Sequence, residues 1–236
     1  MKKRLLIFLM VLLILADLSV LYPKLTGRAT DEVEIIYVNI TRVIDGDTFE
    51  ASDFKVRLLG INTPEKKQIY FQEAKDFLQD FEGKTIALES YGKDKYGRVL
   101  GYVHYNKKLI NLEILKNGLG SLYYYDKDKY YSDMEKAEAS AQKREIGIWS
   151  KSKNYGCLEL VELKWKENER CKNQEKIVLN NKCESMQVTF KDDATHIYSV
   201  ELERGIFEKS FSCIWNDAGD SLYIWDDDGL LLFYRY

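Results

Sequence analysis

The sequence has little of several features that mark whole classes of protein. It has 2 Pro and 14 Gly among 236 residues, which excludes collagen-like chains and proline-rich spacers. Its formal net charge is only −3, so no broad positive field draws it to nucleic acid or to an anionic membrane. Any polyanion must therefore meet local clusters of cations. At 45% hydrophobic residues the chain is rich enough in apolar side chains to fold, and its length allows one large or two small domains.

The longest hydrophobic run lies at the N-terminus. Three cations, Lys2, Lys3 and Arg4, precede the twelve apolar residues 5–16, and Asp17 interrupts the run. A bilayer crossing takes about 20 residues, so the run suits a secretory signal, and its extension to residue 22 suits an uncleaved anchor. We expect residues 1–22 to be a signal peptide or a membrane anchor, with possible membrane attachment through residues 5–22. Both cases predict a secreted or membrane-anchored, extracytoplasmic protein. The polar residues 23–33 predict a linker.

The cysteines are few and lie in the last third of the chain. They are Cys157, Cys171, Cys183 and Cys213. In an oxidising compartment four cysteines predict two disulfides, and the sequence does not choose among the three possible pairings. A zinc site is the alternative, but there is no C-x-x-C pair and His196 is the only histidine nearby.

The alternation of apolar and polar residues predicts an α+β domain over residues 34–150. Strand-like runs at 35–44, 48–51, 54–61, 85–89 and 99–105 are accompanied by helical periodicity at 68–82, 111–117 and 132–145. Five strands of this size can close a barrel. Residues 155–236 show only short strands separated by turns, at 157–165, 175–181, 186–190, 196–202, 221–225 and 229–236, which predicts an all-β sandwich.

Four short stretches of the first domain carry side chains suited to phosphate chemistry. They are the runs IDGDT at 44–48, RLLGINTPE at 57–65, DKYGR at 94–98 and GLGSLYYY at 118–125. Carboxylate and carbonyl oxygens suit a hard divalent ion such as Ca²⁺, and guanidinium groups suit phosphate oxygens. A glutamate held on a turn can accept a proton from water. Together these groups are sufficient for phosphodiester hydrolysis.

The ordered set of motifs resembles the staphylococcal nuclease-like (thermonuclease) family over about residues 36–150. The resemblance implies a five-stranded OB-fold barrel with three helices that hydrolyses DNA and RNA with Ca²⁺ and leaves 3′-phosphate ends. Each role is carried over by motif position. The resemblance implies Arg57, Glu65 and Arg98 as catalytic residues, Lys95, Tyr96 and Tyr124 as substrate-binding residues, and Asp47, Asn62 and Thr63 (through its backbone carbonyl) as calcium ligands.

Asn62 departs from the family pattern, because the motif there usually has Asp. An amide still offers a carbonyl oxygen but carries no charge, so we expect weaker Ca²⁺ binding with activity retained. The long loop that precedes the first helix in the staphylococcal enzyme is also missing, since only about five residues separate Glu65 from Tyr70.

The second domain resembles a lamin-tail domain, which implies an immunoglobulin-like β-sandwich. The resemblance lies in CLELVEL at 157–163, IVLNNKC at 177–183, VTFKDDATHIYSV at 188–200 and WNDAGDSLYIWDDDGLL at 215–231. It suggests binding or attachment to an unknown ligand. We expect a monomeric, exported, Ca²⁺-dependent endonuclease. The alternatives are a non-catalytic OB-fold module that binds single strands and a surface-attachment protein.

Overall fold

A computed structural model of the chain describes residues 34–124, 127–165, 175–194, 196–212, 214–216 and 219–236. The chain divides into two compact units, Met1–Glu34 and Ile35–Tyr236. The predicted signal or anchor and the predicted linker lie outside the described residues. Among the residues that are described, no helix is both long and apolar enough to cross a membrane.

The first part of the larger unit is a closed barrel. This part contains eight strands, of which five form the barrel: β1 (Glu34–Val43), β2 (Thr48–Ala51), β3 (Phe54–Leu58), β4 (Ile61–Asn62), β5 (Thr85–Lys93), β6 (Val99–Tyr105), β7 (Lys108–Leu109) and β8 (Ser121–Leu122). The main sheet has the order β3-β2-β1-β5-β6-β7, and a parallel pairing of β3 with β6 closes five of these strands on themselves. A closed, mixed, five-stranded barrel with three helices fits the predicted OB-fold.

Three helices pack on the barrel: α1 (Phe71–Gln79), α2 (Ile110–Lys116) and α3 (Tyr131–Arg144). Ala74 and Leu78, four residues apart on α1, are both fully buried, as the period of an amphipathic helix requires. A 3₁₀ turn at Gly147–Trp149 follows α3. Helix α1 begins later and ends earlier than the predicted 68–82. It begins later because a 3₁₀-like turn precedes Phe71 and Tyr70 adopts a left-handed conformation at φ 64°.

The C-terminal part is all-β, as predicted. It contains β9 (Leu158–Lys164), β10 (Glu175–Asn181), β11 (Met186–Lys191), β12 (Ile197–Leu202), β13 (Gly205–Phe211), β14 (Ser221–Asp226) and β15 (Gly229–Arg235). They form a three-stranded sheet, β13-β10-β9, and a four-stranded sheet, β12-β11-β14-β15. Both sheets contribute to one core, in which Ile177 and Leu179 of the first meet Val188 and Ile224 of the second. The immunoglobulin-like topology, the lamin-tail resemblance and the domain limits stay predictions.

Strand β13 was absent from the prediction. Its residues alternate between partly buried and exposed positions, and Ile206 is exposed. The strand lies at the edge of its sheet. An edge strand with one solvated face has a weak apolar pattern, which explains the omission.

One disulfide joins Cys157, just before β9, to Cys183, just after β10. It is one of the three pairings that the sequence left open, and it favours the disulfide interpretation over a zinc site. Cys171 and Cys213 lie outside the described residues. A disulfide also agrees with an oxidising compartment.

The four-stranded sheet packs against the barrel helices within the larger unit. Glu138 of α3 is buried and accepts hydrogen bonds from both terminal nitrogens of Arg235 on β15. Trp149 packs edge-on against Phe233, with 5.0 Å between the ring centroids. Trp149 fills a core that lies where the barrel part and the four-stranded sheet meet.

Candidate active site

Asp47 is the buried carboxylate at the centre of the site. It follows the β1–β2 turn and is 5% exposed. Its Oδ2 accepts hydrogen bonds from the backbone nitrogen of Thr63 at 2.9 Å and from Thr63 Oγ1 at 3.0 Å. The predicted ligand pair Asp47 and Thr63 is therefore brought into direct contact from two separate motifs.

Gly46 makes this approach possible. A Cβ atom at position 46 would lie 2.6 Å from the Cβ of Ala74 on α1 and 2.8 Å from Thr63 Oγ1. Both distances are too short for any side chain. The glycine between the two aspartates of the IDGDT motif is thus required by packing, because α1 and the 62–65 turn both press on the loop.

Arg57 joins the same cluster from β3. Its Nε lies 3.1 Å from Asp47 Oδ1, and its Nη2 donates to Asn62 Oδ1 at 3.2 Å. Its side chain is only 12% exposed. Its Nη1 also donates to the backbone oxygen of Leu58. Three partners fix the plane of the guanidinium group, so a phosphate that reaches it meets donors already held in place.

Glu65 is exposed, two residues after Thr63 on the same turn. Its backbone nitrogen donates to Gln68 Oε1 at 2.6 Å, which fixes the turn that carries the carboxylate. The buried ammonium of Lys191 has its pKa lowered by burial, and the charges of Glu65 and Asp47 are among those that oppose this shift. Glu65 and Asp47 thus both act electrostatically on Lys191.

Arg98 comes from the turn before β6. Its Nε pairs with Asp94 Oδ2 at 2.7 Å, and its backbone nitrogen donates to Asp94 Oδ1 at 3.0 Å. In the parallel pairing, Arg57 is opposite Leu100, so the start of β6 lies beside β3. The fold thus brings Arg98 to the part of the barrel wall that carries Arg57.

The predicted substrate-binding residues differ in exposure. Tyr96 is 72% exposed, and both Lys95 Nζ and the Arg98 guanidinium lie over its ring, at 5.1 and 5.4 Å from the centroid. Tyr124 is half-buried. Its hydroxyl is 2.7 Å from that of Tyr102, and its ring packs so closely on Gly60 that a Cβ there would lie 2.7 Å from it. Tyr96 is open to a ligand, whereas Tyr124 is held in a network of tyrosines.

Asp45 is a site residue that the sequence reasoning left out of its ligand set. Burial and the charge of Asp47 raise its pKa to about 6, although the Asp47 backbone nitrogen and Arg57 oppose this. The signal was present, because IDGDT contains two aspartates. Their crowding is an excess of negative charge that a cation would relieve.

The sequence reasoning also left out two residues of the C-terminal part, Asp193 and Ala194, that contact the site. Asn62 Nδ2 donates to the backbone oxygens of Asp193 at 2.9 Å and Ala194 at 3.1 Å. The amide thus joins the turn at 62–65, named the catalytic turn after the predicted role of Glu65, to the loop after β11. No pattern in the sequence could have indicated contacts 131 and 132 residues apart.

The donor set fits calcium in chemistry. The predicted ligands Asp47, Asn62 and Thr63 offer oxygen atoms, which a hard divalent cation prefers, and Asp45 lies beside them, with its Oδ1 accepting from the Asp47 backbone nitrogen at 3.1 Å. Within the described ranges, no group of three or more His, Cys, Asp or Glu is arranged to hold a metal ion. A calcium ion would accordingly depend on amide and backbone oxygens as well as on carboxylates.

Comparison with known proteins agrees with this geometry. The family model for staphylococcal nuclease homologues matches residues 55–151. An uncharacterized endonuclease of Haemophilus influenzae is 37% identical over 118 residues, which cover 47% of this chain and 65% of that protein. The thermonuclease of Staphylococcus intermedius is 36% identical over 126 residues, which cover 48% of this chain and 75% of that protein. An uncharacterized endonuclease of Escherichia coli is 34% identical over 122 residues, which cover 49% of this chain and 78% of that protein. The chain belongs to the staphylococcal nuclease homologue family, and this membership places it among the phosphodiester-hydrolysing endonucleases.

Proposed function

We propose that this protein is an exported, Ca²⁺-dependent endonuclease that cleaves DNA and RNA and leaves 3′-phosphate ends. The observation that carries the proposal is the contact of Asp47 with both Arg57 and Thr63, which brings the motifs at 44–48 and 57–65 together at one place. Export is supported by the basic and apolar N-terminal sequence and by the Cys157–Cys183 disulfide. Membrane attachment through residues 5–22 and a monomeric state belong to the same proposal.

In the proposed mechanism Glu65 accepts a proton from the water molecule that attacks the phosphorus atom. Arg57 and Arg98 donate hydrogen bonds to the phosphate oxygens as negative charge accumulates on them. Asp47 and Asn62 orient the Arg57 guanidinium before the substrate arrives. The bond from phosphorus to the 5′-oxygen breaks, the 5′-oxygen keeps the electron pair and takes a proton from water, and the products are a 3′-phosphate and a 5′-hydroxyl.

Asp47, Asn62 and Thr63 are the residues that would hold the calcium ion. When bound, the ion supplies positive charge that lowers the cost of the extra charge on the phosphate. The neutral amide of Asn62 weakens this binding relative to an aspartate, because one negative charge is missing.

The experiment incubates the full chain with single- and double-stranded DNA and with RNA, in Ca²⁺ or in a chelator. We expect cleavage only with Ca²⁺, and products whose 5′-hydroxyl ends accept a label without prior phosphatase treatment. The variants Glu65→Gln and Arg57→Ala should each lose about 10²- to 10⁴-fold in rate.

Matched controls are Glu159→Gln and Arg42→Ala, which change exposed members of surface ion pairs whose partners are Lys182 and Glu50 rather than predicted site residues. Both should retain the parent rate. Strand binding without cleavage in Ca²⁺ would favour the non-catalytic OB-fold alternative, and neither binding nor cleavage would favour the surface-attachment alternative.

A further inference from the structure

A cavity of about 290 Å³ lies between the catalytic turn and the four-stranded sheet. Asn62, Thr63 and Pro64 form one side, and β11 and β12 form the other through polar side chains that include Thr189 and Ser199. The cavity therefore adjoins the turn that carries Glu65, and its far wall belongs to the C-terminal part.

Lys191, the last residue of β11, lines this cavity and is 5% exposed. Its Nζ donates to the backbone oxygen of Asp192 at 3.3 Å. Within the part of the chain that the structure describes, it forms no ion pair. An ammonium has three donors, and a buried cation without a counter-ion is costly. An anion in the cavity would stabilise the charged form of Lys191.

Four carboxylates act on Lys191 without pairing with it. Burial lowers its pKa, and the charges of Asp192, Asp193, Glu65 and Asp47 oppose this shift. Three of the four are otherwise engaged. Asp192 is bound to His196 at 2.6 Å, Asp47 is bound to Arg57 and Thr63, and the pKa of Asp193 is raised to about 8 by burial beside Asp220.

Two more lysines, Lys66 and Lys67, are exposed and line the same cavity. Asp226 and Asp227 lie on its wall as well, but Asp226 accepts hydrogen bonds from Ser152 and Asn154. Lys66 and Lys67 thus lie on the side of the turn that carries Glu65, and Lys191 lies on the opposite wall, so a phosphate group in the cavity would have cations on two sides.

We propose that Lys191, together with Lys66 and Lys67, forms a subsite for a phosphate group of the substrate strand, next to the phosphate that is cleaved. This inference rests on the proposed function, because it takes the strand to be bound at Arg57. It gives the C-terminal part a direct share in substrate binding. The phosphate supplies the anion that the buried ammonium lacks, in a charge-assisted hydrogen bond.

The test measures binding of a single-stranded eight-nucleotide DNA to the full chain carrying Glu65→Gln, as a function of salt concentration. Adding Lys191→Met should weaken binding about tenfold and reduce the slope of log K against log salt by about 0.7, the value for one phosphate contact on a single strand. Lys191→Arg should restore the slope. The matched control is Lys182→Met, on the C-terminal surface and paired with Glu159, which should change neither quantity.

Thermal unfolding of the same variants separates binding from a structural role. Because Lys191→Met removes a buried and unpaired charge, it should be at least as stable as its parent. An unchanged salt slope, or a loss of stability together with no rescue by arginine, would overturn the proposal. Inorganic phosphate that binds in a Lys191-dependent way, while the oligonucleotide does not, would overturn the assignment to a nucleic-acid strand.

Failure of the subsite proposal can be distinguished from failure of the proposed function. If the parent chain cleaves nothing but the salt slope still depends on Lys191, the nuclease proposal fails and the subsite stands. If the parent cleaves and the slope is independent of Lys191, the subsite proposal fails and the nuclease proposal stands.

Discussion

The barrel and the C-terminal part stabilise buried carboxyl groups in opposite ways. In the barrel, Glu89 is 3% exposed, and its carboxylate accepts hydrogen bonds from Tyr91 at 2.7 Å and Tyr130 at 2.6 Å and pairs with Lys129. Burial alone would raise the pKa of Glu89, but these three donors outweigh it and lower the pKa to about 2. The group is therefore ionised at neutral pH.

Asp193, in the loop after β11, has the opposite environment. Burial and the charge of Asp220 raise its pKa to about 8. The oxygens of Asp220 already accept hydrogen bonds from Asn216 and Ser221. In the barrel, hydrogen-bond donors keep Glu89 ionised, whereas Asp193, in the loop that contacts Asn62, keeps its proton. The comparison indicates that the stability linked to Asp193 falls as pH rises above about 4, whereas the stability linked to Glu89 is lost only as pH falls toward 2.

The largest effect is expected from Asp193→Asn. A carboxyl group with a raised pKa binds a proton in the folded state that the unfolded state releases, so stability is lost as pH rises from about 4 to 8. A shift from 3.8 to about 8 allows a loss of at most about 6 kcal/mol. The variant should remove this slope and unfold at higher denaturant concentration at pH 8.5. Asp53→Asn, in an exposed turn, is the control and should leave the slope intact. Parallel stability curves for Asp193→Asn and its parent would contradict the expectation.

Next in size is the ion pair that joins the four-stranded sheet to α3. Arg235→Met leaves Glu138 charged and buried, which should cost about 3–5 kcal/mol in the free energy of unfolding. Arg235→Met combined with Glu138→Gln should recover part of this, because no uncompensated charge remains and Gln can still accept from Leu122. Arg42→Met, at a surface pair, should change stability by less than about 0.5 kcal/mol. Equal losses in the single and double variants would argue against the buried pair as the cause.

The barrel side of the comparison is tested by Glu89→Gln. At neutral pH the variant should lose roughly 3 kcal/mol, since the shift from 4.5 to about 2 reflects interactions with the ionised form. A lowered pKa gives stability that is present above about pH 4.5 and is lost as pH falls toward 2, so the two proteins should converge there. Chemical denaturation at several pH values measures this, with Glu159→Gln as the exposed control. A difference that does not depend on pH would point to packing instead.

The smallest expected effect concerns the amide that connects the two parts. Asn62→Asp replaces a donor with a carboxylate that faces the oxygens of Asp193 and Ala194. In chelator it should lose about 2 kcal/mol, and Ca²⁺ should restore part of this because an aspartate binds the ion more tightly. Asn181→Asp is the matched control, since that amide donates to the oxygens of Glu184 and Leu202 in the C-terminal part. It should lose stability without rescue by Ca²⁺. Equal Ca²⁺ affinity of Asn62→Asp and its parent would contradict the role of Asn62 at the calcium site.

Much of the fold could be predicted because its signals are local. The strands at 48–51 and 99–105 have the predicted limits, and α3 differs by one residue at each end. The edge strand β13 and the start of α1 could not be predicted, since a half-exposed strand and a left-handed residue before a helix leave little pattern in the sequence. The segment 1–33, with its signal or anchor, stays a prediction.

The candidate site shows the same division. Motif position alone indicated Asp47, Arg57 and Thr63, and the structure places them in direct contact. Lys191 could not have been chosen, because a single lysine at the end of a strand is indistinguishable from a surface cation. Its burial follows only from the docking of the four-stranded sheet on the catalytic turn.

The sequence by itself determined the barrel, its helices and the residues that can handle a phosphate, because periodicity and short motifs act over a few residues. The tertiary structure alone decided which groups from the C-terminal part meet the site. Contacts such as that of Asn62 with Asp193 join positions 131 residues apart. They depend on how two apolar surfaces pack, and packing is a property of the folded chain as a whole.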